Sequence, residues 1–261
     1  MANVKKEVHV EGLGTIFYCN DSSFDEASEA VLNGKAGNLI TLKELAYARI
    51  TEGKDSSVST NGSYVREGSL FIPKAPNKRI WLRESVIPQN ASGAVEAHRK
   101  GKEYLVPQGF NVAKHLESIG KDNYFVLSDT TPVPTDRFGE DERMQWAFGD
   151  KAQAYGQFLA DAKIKNLNIW MYTDKDSHID SQEKPFANQL WLHRLDDNSN
   201  IDGDARDLNN SNWVRGVRYE NAVGDAPKNM YSISDITSKL HKIGIVPDSD
   251  FEKVILKEFN Q

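Results

Sequence analysis

Apolar and polar residues alternate through "VHVEGLGTIFYC" at residues 8–19, a strand-like pattern with a turn at Gly12 and Gly14. The next segments shift to helical spacing. "SSFDEASEAVLNG" offers Ser22 or Ser23 as an N-cap and Gly34 as a stop. "TLKELAYARITEG" carries the clearest helix signature: Thr41 and Glu44 form a capping-box pair, Leu42, Leu45 and Ala46 begin an apolar stripe, and Gly53 ends it. "KDSSVSTNGS" then reads as a loop, and "GSLFIP" and "RIWLRESVI" as strands. Helical spacing returns in "AVEAHRKGK" and in "NVAKHLESIGKD", where Asn111 caps and Gly120 stops. "YFVLS" reads as a short strand, and "DTTPVPTDRFGEDER" as a proline-punctuated loop and the best candidate boundary, at Pro134. A helix over 151–163, a buried strand at "LNIWMY" and a strand-like run at 214–217 follow. Two capped helices, "SISDITSKLHKIGI" and "DSDFEKVILKEF", close the chain as a helical extension over 230–261. No repeat or low-complexity linker interrupts this mixture, so one α+β domain over 1–261 is the economical reading.

One stretch breaks the pattern. In "LWLHRLDDNSNIDGDARDLNNSNWVRGV", residues 190–217, apolar residues recur at Leu190, Leu192, Leu195, Ile201, Leu208, Val214 and Val217. Between them stand only Asn, Asp, Ser, Gly, Arg, His and Ala, with Trp191 and Trp213 near the ends. From Pro185 to Tyr219 there is neither Lys nor Glu, although both are common on either side. Asn, Asp, Gly and Ser favour turns because they tolerate positive φ and bond their own backbone, so a long polar loop is the plain reading. Loops of this length are uncommon in compact domains unless they carry function. The spaced apolar residues also predict a backbone pinned to a core at several points.

Composition narrows the function. A chain of 261 residues, 39% hydrophobic and 27% charged, has an ordinary globular balance and length enough for a substantial core. A net charge of -6 and a pI near 5.6 argue against a nucleic-acid partner, which needs a dense basic patch. No run approaches the roughly 18 apolar residues of a membrane span, and "MANVKKEVHVEGLG" has no apolar run of a secretory signal. Synthesis in the cytoplasm is therefore expected, with a later place on a cell or virion surface left open. Cys19 stands alone, which excludes an internal disulfide and a thiolate-rich metal site.

Catalytic patterns are absent. The six histidines show no metalloprotease spacing, and His98 and His115, on amphipathic helices, are read as surface or boundary residues. "EGLGT" lacks the third glycine of a dinucleotide fingerprint, and neither a nucleophile elbow nor a phosphate-binding loop occurs. The paired acids of "GEDERMQW" read as solvated loop carboxylates. Calcium is the sharper rival for the polar stretch, because Asn198, Asn200, Asp202 and Gly203 fall at positions 1, 3, 5 and 6 of an EF-hand loop. Asn209 then stands where a bidentate glutamate is wanted.

The Leu-Trp-Leu opening, Asn/Asp-rich middle and Val-Arg-Gly-Val close of this stretch resemble the variable region of proteins diversified by retroelements, of the archaeal and viral type related to phage tropism determinants. The resemblance covers 188–219. It implies a C-type-lectin-like α+β fold of the formylglycine-generating-enzyme-like subgroup, with additional helices. It also implies a non-enzymatic display protein without cofactor or metal, binding a macromolecular target, most plausibly a protein. In that family adenine-directed mutagenesis acts on AAY asparagine codons, which yield Asp, Ser, Gly, His, Arg, Ala, Ile or Leu but never Lys, Glu, Gln, Met or Trp. Every residue from His193 to Asn212 belongs to the permitted set, and five are Asn. The implied variable, ligand-binding positions are His193, Arg194, Asp196, Asp197, Asn198, Asn200, Asp202, Asp204, Ala205, Asn209, Asn210 and Asn212. The implied scaffold is Leu190, Trp191, Leu192, Leu195, Ile201, Leu208, Trp213, Val214 and Val217, with Gly203 and Gly216 at tight backbone positions. Hot spots are usually Trp, Tyr or Arg, so weak binding is expected of this variant unless His193, Arg194 or Trp213 meets a pocket. Two rivals stand beside this reading. One is a calcium- or sugar-binding module, although the "WND" and "EPN" sugar-site motifs are missing. The other is a formylglycine-forming oxidase, which by its cysteine-pair route could not work with Cys19 alone.

Overall fold

A computed structural model describes residues 2–34, 36–73, 78–172, 184–204, 207–210 and 213–220. The expected helical extension over 230–261 lies outside these residues. Strands β1 (Lys5–Val10) and β2 (Gly14–Cys19) form the first hairpin, followed by α1 (Phe24–Asn33), β3 (Asn38–Leu39), α2 (Leu42–Glu52) and the single turn α3 (Ser57–Thr60). Then come β4 (Ser63–Ile72), β5 (Lys78–Leu82), α4 (Ala91–Arg99), β6 (Tyr104–Leu105), α5 (Val112–Ile119), β7 (Tyr124–Leu127) and β8 (Val133–Pro134). The rest is α6 (Glu142–Phe148), α7 (Ala152–Asp161), β9 (Asn166–Trp170), β10 (Phe186–Leu192), β11 (Asn200–Asp202) and β12 (Val214–Tyr219).

Local chemistry accounts for most of these boundaries. The capping box of α2 is complete: Glu44 N donates to Thr41 Oγ1 at 3.1 Å, and Thr41 N donates to the Glu44 carboxylate at 2.8 Å. Asn111 Oδ1 accepts from Lys114 N at 3.0 Å to start α5. Ser23 stands at the N-cap of α1 but makes no capping bond; its hydroxyl donates instead to Asp25 Oδ1.

Several expectations are corrected. The polar "KDSSVSTNGS" contains α3, and "RIWLRESVI" leaves the sheet after Leu82. The proline-rich 129–143 segment is no boundary: Val133 and Pro134 pair with Leu167 and Asn166, and Asp141 caps α6 by accepting from Arg143 N and Met144 N. The acids of "GEDER" therefore start a helix. His98 is buried in the core rather than placed on the surface, because α4 turns that side inward. Trp170 emerges 43% exposed from a strand expected to be buried.

The main sheet runs β1-β2-β12-β4-β10-β11-β9-β8, with β5 also paired to β4. Consecutive strand residues enter different apolar clusters, as alternation requires: on β4, Val65 joins the cluster with α2, α6 and α7, and Tyr64 joins that with α1 and α4. Helices thus cover both sides of the central strands. That double cover explains why β4, β10 and β12 are buried along nearly their whole length. Residues up to Glu220 make one compact unit.

Candidate binding site

The unusual stretch runs up β10, across β11 and back down β12, and its two ends meet at one residue. Trp191 and Val214 are both paired with Tyr64 of β4, from opposite edges. Tyr64 N donates to Trp213 O at 3.0 Å, and the Trp191 ring stands edge-on to Tyr64 with centroids 4.9 Å apart. Trp213 stacks on Tyr18 at 4.4 Å, with the Arg215 guanidinium 4.6 Å from its ring. Both tryptophans are therefore packed against the frame.

The apolar residues pin the path. Leu190, Leu192, Ile201, Leu208, Val214 and Val217 are each 0% exposed, and Leu195 packs on the same core from the loop. Burial of such a side chain is worth about 1.5–3 kcal/mol relative to exposure, so six of them set against the ordering cost of the backbone between them. The glycines are close-approach positions. A Cβ on Gly203 would collide with Met171 Sδ and Leu190 Cδ2, and one on Gly216 with Val31 Cγ1 and Asn38 O. Neither glycine has a positive φ; space, not backbone freedom, requires them.

Between the anchors lie two loops, 193–199 and a second of which residues 203, 204, 207–210 and 213 are described. The first is closed by short-range bonds. Asp196 Oδ1 accepts from Asn198 N at 2.9 Å, and Ser199 Oγ donates to Arg194 O and Asp196 O at 2.9 and 2.8 Å. Leu195 N donates to Ser59 O, and Asn168 N to Ser199 O, which tie the loop to α3 and β9. Arg194 Nε donates to Asp196 Oδ2 at 2.7 Å, and His193 Nδ1 stands 3.5 Å from Asp196 Oδ1. Burial alone would raise the Asp196 pKa, but the bonds from Arg194 and Asn198 N outweigh it and hold the carboxyl below its ordinary value. In the second loop, Asp204 N donates to Asp202 Oδ1, and the Gly203 carbonyl accepts from both Ser69 Oγ (2.8 Å) and Asn188 Nδ2 (3.1 Å). Tyr172 OH donates to Asp204 O at 3.3 Å, and Phe24 N to Leu208 O at 2.8 Å.

The structure sorts the implied variable positions. Arg194, Asp197, Asn198 and Asn210 are exposed, and His193, Asp196, Asp202, Asp204 and Asn209 are half-buried. Asn200 is a correction: it is 0% exposed, and its amide donates to Asn198 O at 2.7 Å. Strand β11 is paired with β10 on one edge and with β9 on the other; Asn200 and Ile201 are buried, and Asp202 is half-buried. Ala205 and Asn212 lie outside the described residues. Calcium by the EF-hand register is disfavoured for the same reason. Residues 200–202 are extended and paired on both sides, and cannot wrap an ion. Among the described residues no group of three or more His, Cys, Asp or Glu is placed to hold a metal.

Other supports were not legible. Arg49, 0% exposed on α2, donates to His193 O (2.8 Å), Val58 O (2.9 Å) and Tyr155 OH (2.8 Å), and burial pulls its pKa down. Arg215, also 0% exposed, pairs with both carboxylate oxygens of Glu7 at 2.6 and 2.8 Å and donates to Gly62 O at 2.8 Å. Trp170, in register with Asp202, places an exposed aromatic beside the implied variable face. Its signal was the even position in β9, which alternates Asn166, Asn168 and Trp170 outward with Leu167 and Ile169 inward.

No protein-family model and no curated protein matches the chain. A solved structure described as "Accommodation of massive sequence variation in Nanoarchaeota by the C-type lectin fold" does match. It is 20% identical with a TM-score of 0.58, over 80% of this chain and 100% of that one. The chain has the C-type lectin fold. Among the described residues no helix is long and apolar enough to cross a membrane.

Proposed function

We propose that this chain is a non-enzymatic display protein whose face between His193 and Asn212 is diversified by adenine-directed retroelement mutagenesis to bind varied targets, most plausibly proteins. The observation that carries the reading is the placement of the restricted residue set. Among the described positions implied as variable, Arg194, Asp197, Asn198 and Asn210 are exposed and His193, Asp196, Asp202, Asp204 and Asn209 half-buried, while the anchors Leu190, Leu192, Ile201, Leu208, Val214 and Val217 are buried. Binding loops on a rigid scaffold are how variation is tolerated elsewhere, since exposed changes usually alter stability by about 0.5 kcal/mol or less. The matched structure, described as accommodating massive sequence variation by this fold, supports the same reading. Trp170 supplies the aromatic contact that the variable positions lack, from outside the variable window.

The experiment is deep sequencing of codons 185–220 in the source population. Substitutions are expected at codons 193, 194, 196–198, 202, 204, 205, 209, 210 and 212, each traceable to an adenine in a nearby near-repeat, with codon 200 far less free. A uniform window with only silent changes and no template repeat sinks the reading.

A further inference from the structure

Lys163, Ile164, Lys165, Asn166, Asn168 and Asp197 line a cavity of about 270 Å³ between the α7–β9 turn and the 193–199 loop. The turn is built in an unusual way. Helix α7 ends in a Schellman arrangement: Lys163 N donates to Ala160 O at 2.8 Å and Ile164 N to Leu159 O at 2.9 Å, with Ile164 buried as its apolar contact. That arrangement puts Lys163 at φ 65°, where glycine is the usual residue. Among the described residues it is the one non-glycine with a positive φ. The chain therefore keeps an ammonium group at a position where the backbone favours no side chain at all. Opposite stands Asp197, on a loop tied to the same wall through Asn168 N and Ser199 O.

The charges have a consequence under the display reading, on which this inference rests. Five of the six lining residues lie outside 188–219, so under that reading they stay constant while residue 197 varies. Two ammonium groups and two amides suit a carboxylate, and here Asp197 offsets part of their charge. We propose that this cavity receives a carboxylate side chain of the bound protein, and that residue 197 tunes it: Asp weakens acceptance, and Asn, Ser or Gly at 197 opens it. One variable codon then switches a constant basic pocket.

The test uses the full chain and a fluorescein-labelled tetraglutamate peptide, followed by anisotropy at low ionic strength. D197N is expected to bind about fivefold more tightly than the parent, with the gain lost as salt is added. K163G in the D197N background should abolish that gain while melting no lower, because glycine suits the backbone there; this separates lost charge from lost fold. The proposal is overturned if D197N binds no more tightly, or if its gain survives K163G. It is equally overturned if a single-stranded oligonucleotide displaces the peptide at matched charge, which would assign the pocket to phosphate. A uniform variable window in the sequencing experiment would remove the display reading while leaving the peptide result standing; failure of the peptide experiment alone leaves the display reading intact.

Discussion

Asn198 and Asn200 are the same residue two positions apart, and they live in different environments. Asn198 is exposed in a turn held by Asp196, whereas Asn200, at the start of β11, is 0% exposed. Gly203 sits at the other extreme, with Met171 and Leu190 against the place a Cβ would take. Overpacking of that kind costs about 1–3 kcal/mol. Urea unfolding should therefore show G203A destabilised by that amount, while N198A stays within about 0.5 kcal/mol of the parent. Equal losses for both would mean the loop is not separable from the core. Residue types allowed both sites to be singled out, but burial comes from neighbours far along the chain, and no local pattern carries it.

At the scale of elements, short-range signals were legible and long-range ones were not. The α2 capping box, the α5 cap and the β1–β2 turn all lie within a few residues of the structure they make. Segment 57–62 has the composition of a loop, and the groups that fix it come from elsewhere in the chain. Arg49 of α2 reaches Val58 O and Asn61 O, and Arg215 of β12 reaches Ser57 O and Gly62 O. Glu7 of β1 neutralises Arg215 with a side chain only 3% exposed. Removing one partner of a buried pair leaves a charge without compensation and costs about 3–5 kcal/mol. E7A should lose that much in denaturant unfolding, and the double variant E7A/R215M less than the sum of the two single changes. An additive result would show that the pair does not act as a unit.

For the whole molecule, Glu67 couples stability to pH. It is 0% exposed on β4, accepts from Leu42 N at 3.0 Å through Oε2, and its Oε1 has no hydrogen-bond partner among the described residues. Burial pushes its pKa from 4.5 up to about 7, partly offset by the bond from Leu42 N and by Arg66 and Arg83. The native state then holds a proton that the unfolded chain releases, so stability falls as pH rises from about 4.5 to about 7 and stays lower above that. A shift of this size is worth about 3 kcal/mol. Relative to the parent, E67Q should gain roughly that much between about pH 4 and pH 8 in urea unfolding. The comparison with E67Q isolates this group from Asp129, Asp141 and Asp196, whose pKa values are held low and whose contributions are lost only in acid. A pH-independent difference between the two proteins would show that Glu67 keeps its ordinary ionisation.

The sequence by itself determined the α+β class, most helix starts, the apolar anchors of the unusual stretch and its restricted residue set. These are matters of period, capping chemistry and composition, each written in neighbouring residues. Only the tertiary structure decided that both ends of the stretch close on Tyr64, that Asn200 is inside, that Trp170 is outside and that Lys163 and Asp197 line one cavity. Each of those follows from which strands lie side by side in the order β12-β4-β10-β11-β9. Strand order brings together residues more than a hundred positions apart, and no spacing along the chain encodes it.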